Sequence, residues 1–300
     1  MSGFEDRLCD TRNTPTAPVQ KGKRLLNEWL KYRVLYSAFK YSGIDSVGGC
    51  SGKNKFQMRC EMADTANNII NGLNLNSPVE NLIKQLISEG INATVKQNFV
   101  RAGSRIYSSG TTALMIACDT GNLKLVQSLT AAGACVNLPQ SFGTTPLMVA
   151  ADRGHKQIVK FLIENGAYIC LKDSGGDTAL SIVCHRRKNT RKSIIKNIID
   201  AGGDVNTRNQ LGRWVFYILL SHKPLVEEVM LFINEGVDIN CVNADGTTAL
   251  TVSADFNRLD IIKILMESGA SVGIETAIDK AVRYGYKETE DYLRSFGHVV

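Results

Sequence analysis

Five glycines, Gly110, Gly143, Gly176, Gly212 and Gly246, follow one another at spacings of 33, 33, 36 and 34 residues. A second series, Gly133, Gly166, Gly202, Gly236 and Gly269, keeps step with the first, and each of its first four members precedes the next opening glycine by ten residues. Between the marks the chain repeats itself: GTTALMIACDTGNLKLVQSLTAAGA from Gly110, GTTPLMVAADRGHKQIVKFLIENGA from Gly143, GTTALTVSADFNRLDIIKILMESGA from Gly246. A period in this range restricts a chain to architectures that stack one supersecondary unit. Length variation falls between opening and closing glycines, where the third unit gains three residues and the fourth gains one.

The unit at 143–167 explains its own shape. An opening glycine suits a turn whose backbone conformation is hostile to a Cβ. Thr145 can offer its hydroxyl to the free amides of a helix start, and Pro146 fits the first turn because its missing N–H would be unpaired there. The first helix, LMVAADRG, is short and alanine-rich, so a neighbour can approach closely. The second, HKQIVKFLIENG, sets Ile158, Val159, Leu162 and Ile163 on one broad apolar face. Gly166 is a natural left-handed stop. Leu147, Ala150, Ile158 and Leu162 hold the buried register. Neither helix can bury its face alone, so the units must stack.

The pattern Gly-x-Thr-Pro-Leu-x-x-Ala-Ala, Gly-His, an Ile-Val/Leu-Leu helix and Gly-Ala stands almost complete at 143–167. In these residues the chain resembles the ankyrin-repeat family, over about residues 62–300. The resemblance implies an all-α fold, a curved solenoid of stacked helix–turn–helix units with β-turn fingers along one edge. It divides the chain into a degenerate repeat at 62–109, repeats at 110–142, 143–175, 176–211, 212–245 and 246–275, and a C-terminal cap at 276–300, together an ankyrin-repeat domain over 61–300. Before it lie a disordered tail, 1–20, and an N-terminal amphipathic helix with a flexible basic linker, 21–60. Some units depart from the pattern. The earliest is recognisable only in its second helix, SPVENLIKQLISEG (77–90), its first helix (about 62–73) being degenerate. Gly90 to Gly110 spans twenty residues, so that finger is doubled. The fourth unit replaces Thr-Pro-Leu with Trp214-Val215-Phe216, and the last has a shortened finger and a charged second helix, as a terminal cap should.

Composition removes several function classes. Apolar residues make up 44% of the 300, yet no run reaches the length of a membrane span. The first twenty residues lack the apolar region of a secretory signal, and Glu5, Asp6 and Asp10 argue against a mitochondrial presequence. None of the eight cysteines forms a CxxC pair and there are only four histidines, so no cofactor or metal site and no disulfide framework is implied. Reduced thiols in a cytoplasmic or nuclear protein fit this usage. The net charge of +6 comes entirely from residues 1–60, with eleven Lys/Arg against five Asp/Glu; residues 61–300 carry 24 of each. A protein-wide nucleic-acid surface is therefore not indicated.

No catalytic constellation emerges, and the chain reads as a non-enzyme. Cys184 and His185 are neighbours that cannot face each other on a helix. GGDTAL (175–180) is a finger and a helix start, not a phosphate loop. Three other features bear on binding. HRRKNTRK (185–192) carries Arg186, Arg187, Lys188, Arg191 and Lys192 without an acid: a solvated loop, or a docking point for an acidic partner, a phosphate group or RNA. The doubled finger, 91–109, is also acid-free, with Lys96, Arg101 and Arg105. Residues 23–41 set Leu25, Trp29, Tyr32, Tyr36 and Phe39 on one helical stripe, which could cover the first repeat, dock a protein or lie on a membrane surface.

The leading expectation is a non-catalytic protein-interaction module: adaptor, scaffold or inhibitor. The alternative is a binder of nucleic acid or a phosphorylated ligand through 185–192 and 91–109. In the ankyrin family contacts come from finger tips and exposed residues of first helices. By register those are Phe142, Thr144, Asp152 and Arg153; Asp177, His185, Arg186 and the adjoining Arg187; Gln210, Leu211, Arg213, Tyr217 and His222; and Asp245, Thr247, Asp255 and Phe256. The fourth unit departs furthest from the pattern and carries Arg, Tyr and Leu near its finger, so it is the expected hot spot.

Overall fold

The computed structural model describes residues 77–96, 99–102, 104–186 and 190–296, with Ile69 before them. The expected tail at 1–20, the aromatic helix at 23–41 and its linker lie outside the described residues, as do Arg187 and Lys188. Of the degenerate first helix only Ile69 is described; it is helical and buried.

Helix α1 (Pro78–Glu89) is followed by strands β1 (Phe99–Ala102) and β2 (Arg105–Ser108). Six helix pairs come next: α2/α3 (Ala113–Thr120, Leu123–Ala131), α4/α5 (Pro146–Arg153, Lys156–Glu164), α6/α7 (Ala179–Cys184, Arg191–Asp200), α8/α9 (Val215–Ser221, Val226–Asn234), α10/α11 (Ala249–Asp255, Leu259–Glu267) and α12/α13 (Ile274–Tyr284, Lys287–Arg294). First helices pack on first helices from α2 to α12, and second helices on second helices from α3 to α11. The result is two layers of helices sharing one core, continuous from Ile69 to Leu293. Leu147, Ala150, Ile158 and Leu162 are all buried, as their register requires.

Local chemistry sets the helix starts. Thr112, Thr145, Thr178 and Thr248 accept through their hydroxyls from the backbone N–H groups of Met115, Met148, Ser181 and Thr251 at 3.2–3.3 Å, which satisfies an amide that the helix itself cannot pair. The turns before them need glycine twice over. Gly110 and Gly176 have φ of 84° and 78°, and a Cβ on either would stand 2.7 Å from a backbone nitrogen of the next finger. That closeness serves a ladder: Ser141 N–H donates to Ser109 C=O, Ser174 N–H to Phe142 C=O and Gln210 N–H to Gly175 C=O. Asparagines make a second ladder. Asn137, Asn206 and Asn240 donate to the carbonyls of the closing glycines Gly166, Gly236 and Gly269 and accept from Tyr168, Asp238 and Ser271 N–H.

Two expectations need correction. The doubled finger is a β-hairpin, with Ala102 opposite Arg105 and Phe99 opposite Ser108, so the helical array carries a small antiparallel sheet. Arg191 is not part of a solvated basic loop. It is buried, and all five of its N–H donors are taken: by the Glu228 carboxylate twice, by Arg186 C=O and His222 C=O, and by Lys223 C=O. Glu228, equally buried, also accepts from Leu225 N–H at 2.8 Å. The reason is the longer connection after α6, which lets a guanidinium at the start of α7 enter the junction with α8/α9. Removing one partner of such a pair leaves a buried charge uncompensated. Glu228→Leu is expected to lower unfolding free energy by about 3–5 kcal/mol in urea titration. Pairing it with Arg191→Met should recover most of that loss.

Candidate functional site

The face built from fingers and first helices holds most of the candidate residues, and ion pairs organise its first half. Asp119, at the end of α2, is buried and receives two guanidinium groups, Arg105 from β2 and Arg153 from α4. The Tyr107 hydroxyl donates to the same carboxylate at 3.2 Å, and burial followed by that charge pushes its pKa up. Asp152 pairs with Arg186 at 2.5 Å. Arg153, Asp152 and Arg186 are thus brought together in pairs across neighbouring units. The acid-free segments seen in the sequence draw their acids from elsewhere: Lys96 also has one, Glu89 at 2.8 Å.

The junction of α6 and α8 brings His185 to His222, ring centroids 5.1 Å apart and edge-on. Cys184 beside it is fully buried, and desolvation raises its pKa, which disfavours the thiolate. Asp177 accepts from the Ser181 hydroxyl at 2.9 Å and the Asn209 side-chain amide at 3.3 Å.

The fourth finger is built differently from the others. Trp214 takes the place of the capping threonine and makes no side-chain cap. Its backbone N–H donates instead to Asn243 Oδ1 at 3.0 Å, its indole N–H donates to Val242 C=O at 3.1 Å, and the Arg208 guanidinium lies 3.8 Å from the ring centroid. An internal cap has been exchanged for bonds to the next finger. Asn209 Oδ1 accepts from Leu211 N–H and Arg213 N–H, which shapes the tip. Leu211 and Arg213 then line a cleft of about 330 Å³ with Asn243, Ala244 and Asp245. Leu211 is 66% exposed. The hydroxyl of Thr247 holds the Asp245 carboxyl below its usual range, with Arg213 a weaker contributor.

Not every candidate joins this cleft. Gln210 is exposed at the same tip but does not line it, and Tyr217 is half-buried against the core beyond Phe216, which stacks on Phe232 at 5.7 Å. Phe142 and Phe256 stand exposed, Thr144 is half-buried, and Asp255 pairs with Lys280 of α12. Sequence reasoning missed Asp119, Tyr107, Asn243 and Ala244. Among the described residues no group of three or more His, Cys, Asp or Glu could hold a metal, and no helix is long and apolar enough to cross a membrane.

With this geometry in hand, two comparisons bear on the chain. A profile described as ankyrin repeats, three copies, matches residues 74–173, 180–276 and 220–298. Human cyclin-dependent kinase 4 inhibitor B is 28% identical over 109 residues, covering 34% of this chain and 76% of that protein.

His185 gives the fold a pH dependence. Burial holds His185 below its ordinary 6.5; His222 adds to this, as do Arg213 and Arg186, while Asp177 opposes it. The unfolded chain takes up this proton more readily than the folded chain, so stability is full above that pH and declines as pH falls through it. The thermal midpoint is expected to drop between about pH 7.5 and about pH 5.5, the range in which histidine titrates. His185→Gln should show a shallower slope, and an equal slope would contradict the assignment.

Proposed function

Since the chain belongs to the ankyrin-repeat family, we propose that it is a non-catalytic module that binds a protein partner through its fingers and first helices, as adaptor, scaffold or inhibitor. The observation that carries this is the fourth finger. Stacking buries Phe216, Ile218, Leu219, Val229 and Phe232 of that helix pair. Leu211 is left outside, beside Arg213 and over a cleft closed by Asp245. An exposed apolar anchor with a charged margin is the anatomy of an interface centre and its rim. We read the exposed candidates on other fingers and first helices, Phe142 and Phe256 among them, as part of the same binding face. The division of the chain into units between opening and closing glycines belongs to this reading, and the succession of helix pairs supports it.

The human relative is named as an inhibitor of cyclin-dependent kinase 4. What we carry over is the mode, occupation of a protein partner, and not the target. Binding of nucleic acid or a phosphorylated ligand through 185–192 and 91–109 has weaker support, because Lys96, Arg105, Arg186 and Arg191 already have carboxylate partners. A cytoplasmic or nuclear setting agrees with the free thiols of Cys118, Cys135, Cys170, Cys184 and Cys241.

The test is capture of partners from native lysate followed by calorimetry on the captured protein. Leu211→Ala with Arg213→Ala should keep the helical circular dichroism spectrum and weaken binding by at least about 1–2 kcal/mol, the scale of a hot-spot truncation. The proposal fails if the folded double variant binds the same partner with unchanged affinity.

A further inference from the structure

One rung is missing from the ladder that joins the fingers. Ser141, Ser174 and Gln210 each donate a backbone N–H to the finger before, at Ser109, Phe142 and Gly175 C=O. Each donor stands two residues before its own opening glycine, and each acceptor one residue before the previous one. The same register makes Ala244 N–H and Leu211 C=O the next rung. That bond is not made, and among the described residues neither group has a partner in the fold. The spacing agrees. A Cβ on Gly110, Gly143 or Gly176 would stand 2.7, 3.3 and 2.7 Å from the rung nitrogen of the next finger, whereas on Gly212 it would stand 3.9 Å from the nitrogen of Ala244. The Ala244 methyl faces Gly212 instead.

The two fingers are joined lower down. Trp214 donates its backbone N–H to Asn243 Oδ1 and its indole N–H to Val242 C=O, at 3.0 and 3.1 Å. These bonds hold the feet of the fingers together and leave the tips apart. The space at the tips is the cleft of about 330 Å³ lined by Leu211, Arg213, Asn243, Ala244 and Asp245. It offers an exposed apolar side chain, one backbone acceptor and one backbone donor. Arg213 and Asp245 carry opposite charges, so the lining selects neither an anion nor a cation. A residue in an extended chain turns its own N–H and C=O to the same side. That is the complement of a lone acceptor beside a lone donor, and it has no net charge.

We propose that the Leu211 cleft takes an extended segment of the protein partner by its backbone: one residue of that segment donates its N–H to Leu211 C=O and accepts through its C=O from Ala244 N–H, with an apolar side chain set against Leu211. Main-chain bonds hold the segment, and the side chain at Leu211 selects it. A partner helix could not dock in this way, because its backbone groups are spent within the helix. The inference rests on the reading of the fourth finger as an interface, and adds what the partner presents there.

Random linear peptides displayed on phage are selected on the full chain, and those that a Leu211→Ala, Arg213→Ala double variant no longer binds supply the probe. Their affinities are measured by fluorescence anisotropy on the wild type and on Ala244→Pro. Proline suits this position. Gly246 N–H donates to Asn243 C=O, which makes Ala244 the second residue of a turn, where proline is favoured, and its own N–H supports nothing in the fold. Ala244→Pro should therefore keep the wild-type thermal midpoint, whereas Ser174→Pro, which removes a rung, should lower it. Peptide affinity should fall at least about fivefold in Ala244→Pro, the scale of one backbone hydrogen bond. A second measurement uses the wild type alone, with the peptide amides replaced by esters one at a time. Binding should weaken at one residue, which loses the N–H donor, and at the residue after it, whose ester weakens the carbonyl acceptor. A helical consensus, no peptide that depends on Leu211 and Arg213, equal affinity for Ala244→Pro, a lowered midpoint in Ala244→Pro, or an ester scan without that pair of positions would each overturn the proposal. If one of these occurs while the double variant still loses the partner captured from lysate, the interface stands and only the backbone mode falls. Unchanged capture by the double variant removes the interface itself.

Discussion

Removal of water from the apolar faces of neighbouring helix pairs is the interaction on which everything else here depends. A pair such as α4/α5 is too small to enclose a core of its own. It is completed on one side by α2/α3 and on the other by α6/α7, in both helical layers. Burial of each large aliphatic side chain contributes about 1.5–3 kcal/mol, which a solitary pair would forgo on its open sides. The polar devices follow from this geometry. Finger-to-finger backbone bonds and the asparagine bridges to closing glycines satisfy groups that stacking brings together, and they fix the register from one pair to the next.

Stacking also explains where specificity can reside. Every unit must spend the same positions on its neighbours, so differences between units collect on the fingers and first helices. The fourth unit shows how far this can go. Trp214 gives up a helix cap for bonds to the following finger, and Leu211 is pushed into solvent beside Arg213 and Asp245. At the other end of the same face, the Asp119 hub ties β2 to α2 and α4 and gives the hairpin a fixed platform.

What could be read from the sequence was local or periodic. The glycine series and the threonine caps depend on residues three or four apart and on a step of about one repeat, and both are visible without coordinates. The buried register of Leu147 and Leu162 followed from helical spacing. The hairpin at 99–108 had a signal, Gly103-Ser104 between two short runs containing Val100, Ile106 and Tyr107, but the repeat period dominated the reading and made it a longer finger. The asparagines also had a signal, since Asn206 and Asn240 stand 34 residues apart. Arg191 and Glu228 had none. They lie 37 residues apart, and only the stacked geometry shows that a basic run and an acidic helix start meet in the interior. The same holds for Asp119, whose two arginines come from a strand before it and a helix after it.

The account rests on pairs that are stable only through their neighbours, and hydrogen exchange reads that dependence directly. Leu162 is fully buried in α5, and truncating it to alanine opens a cavity at the junction of three pairs. Amide exchange measured on Leu162→Ala beside the wild type should show protection lost from α5 and also from α3 and α7, with α13 little changed. Loss confined to residues 156–164, with the flanking pairs as protected as before, would contradict it.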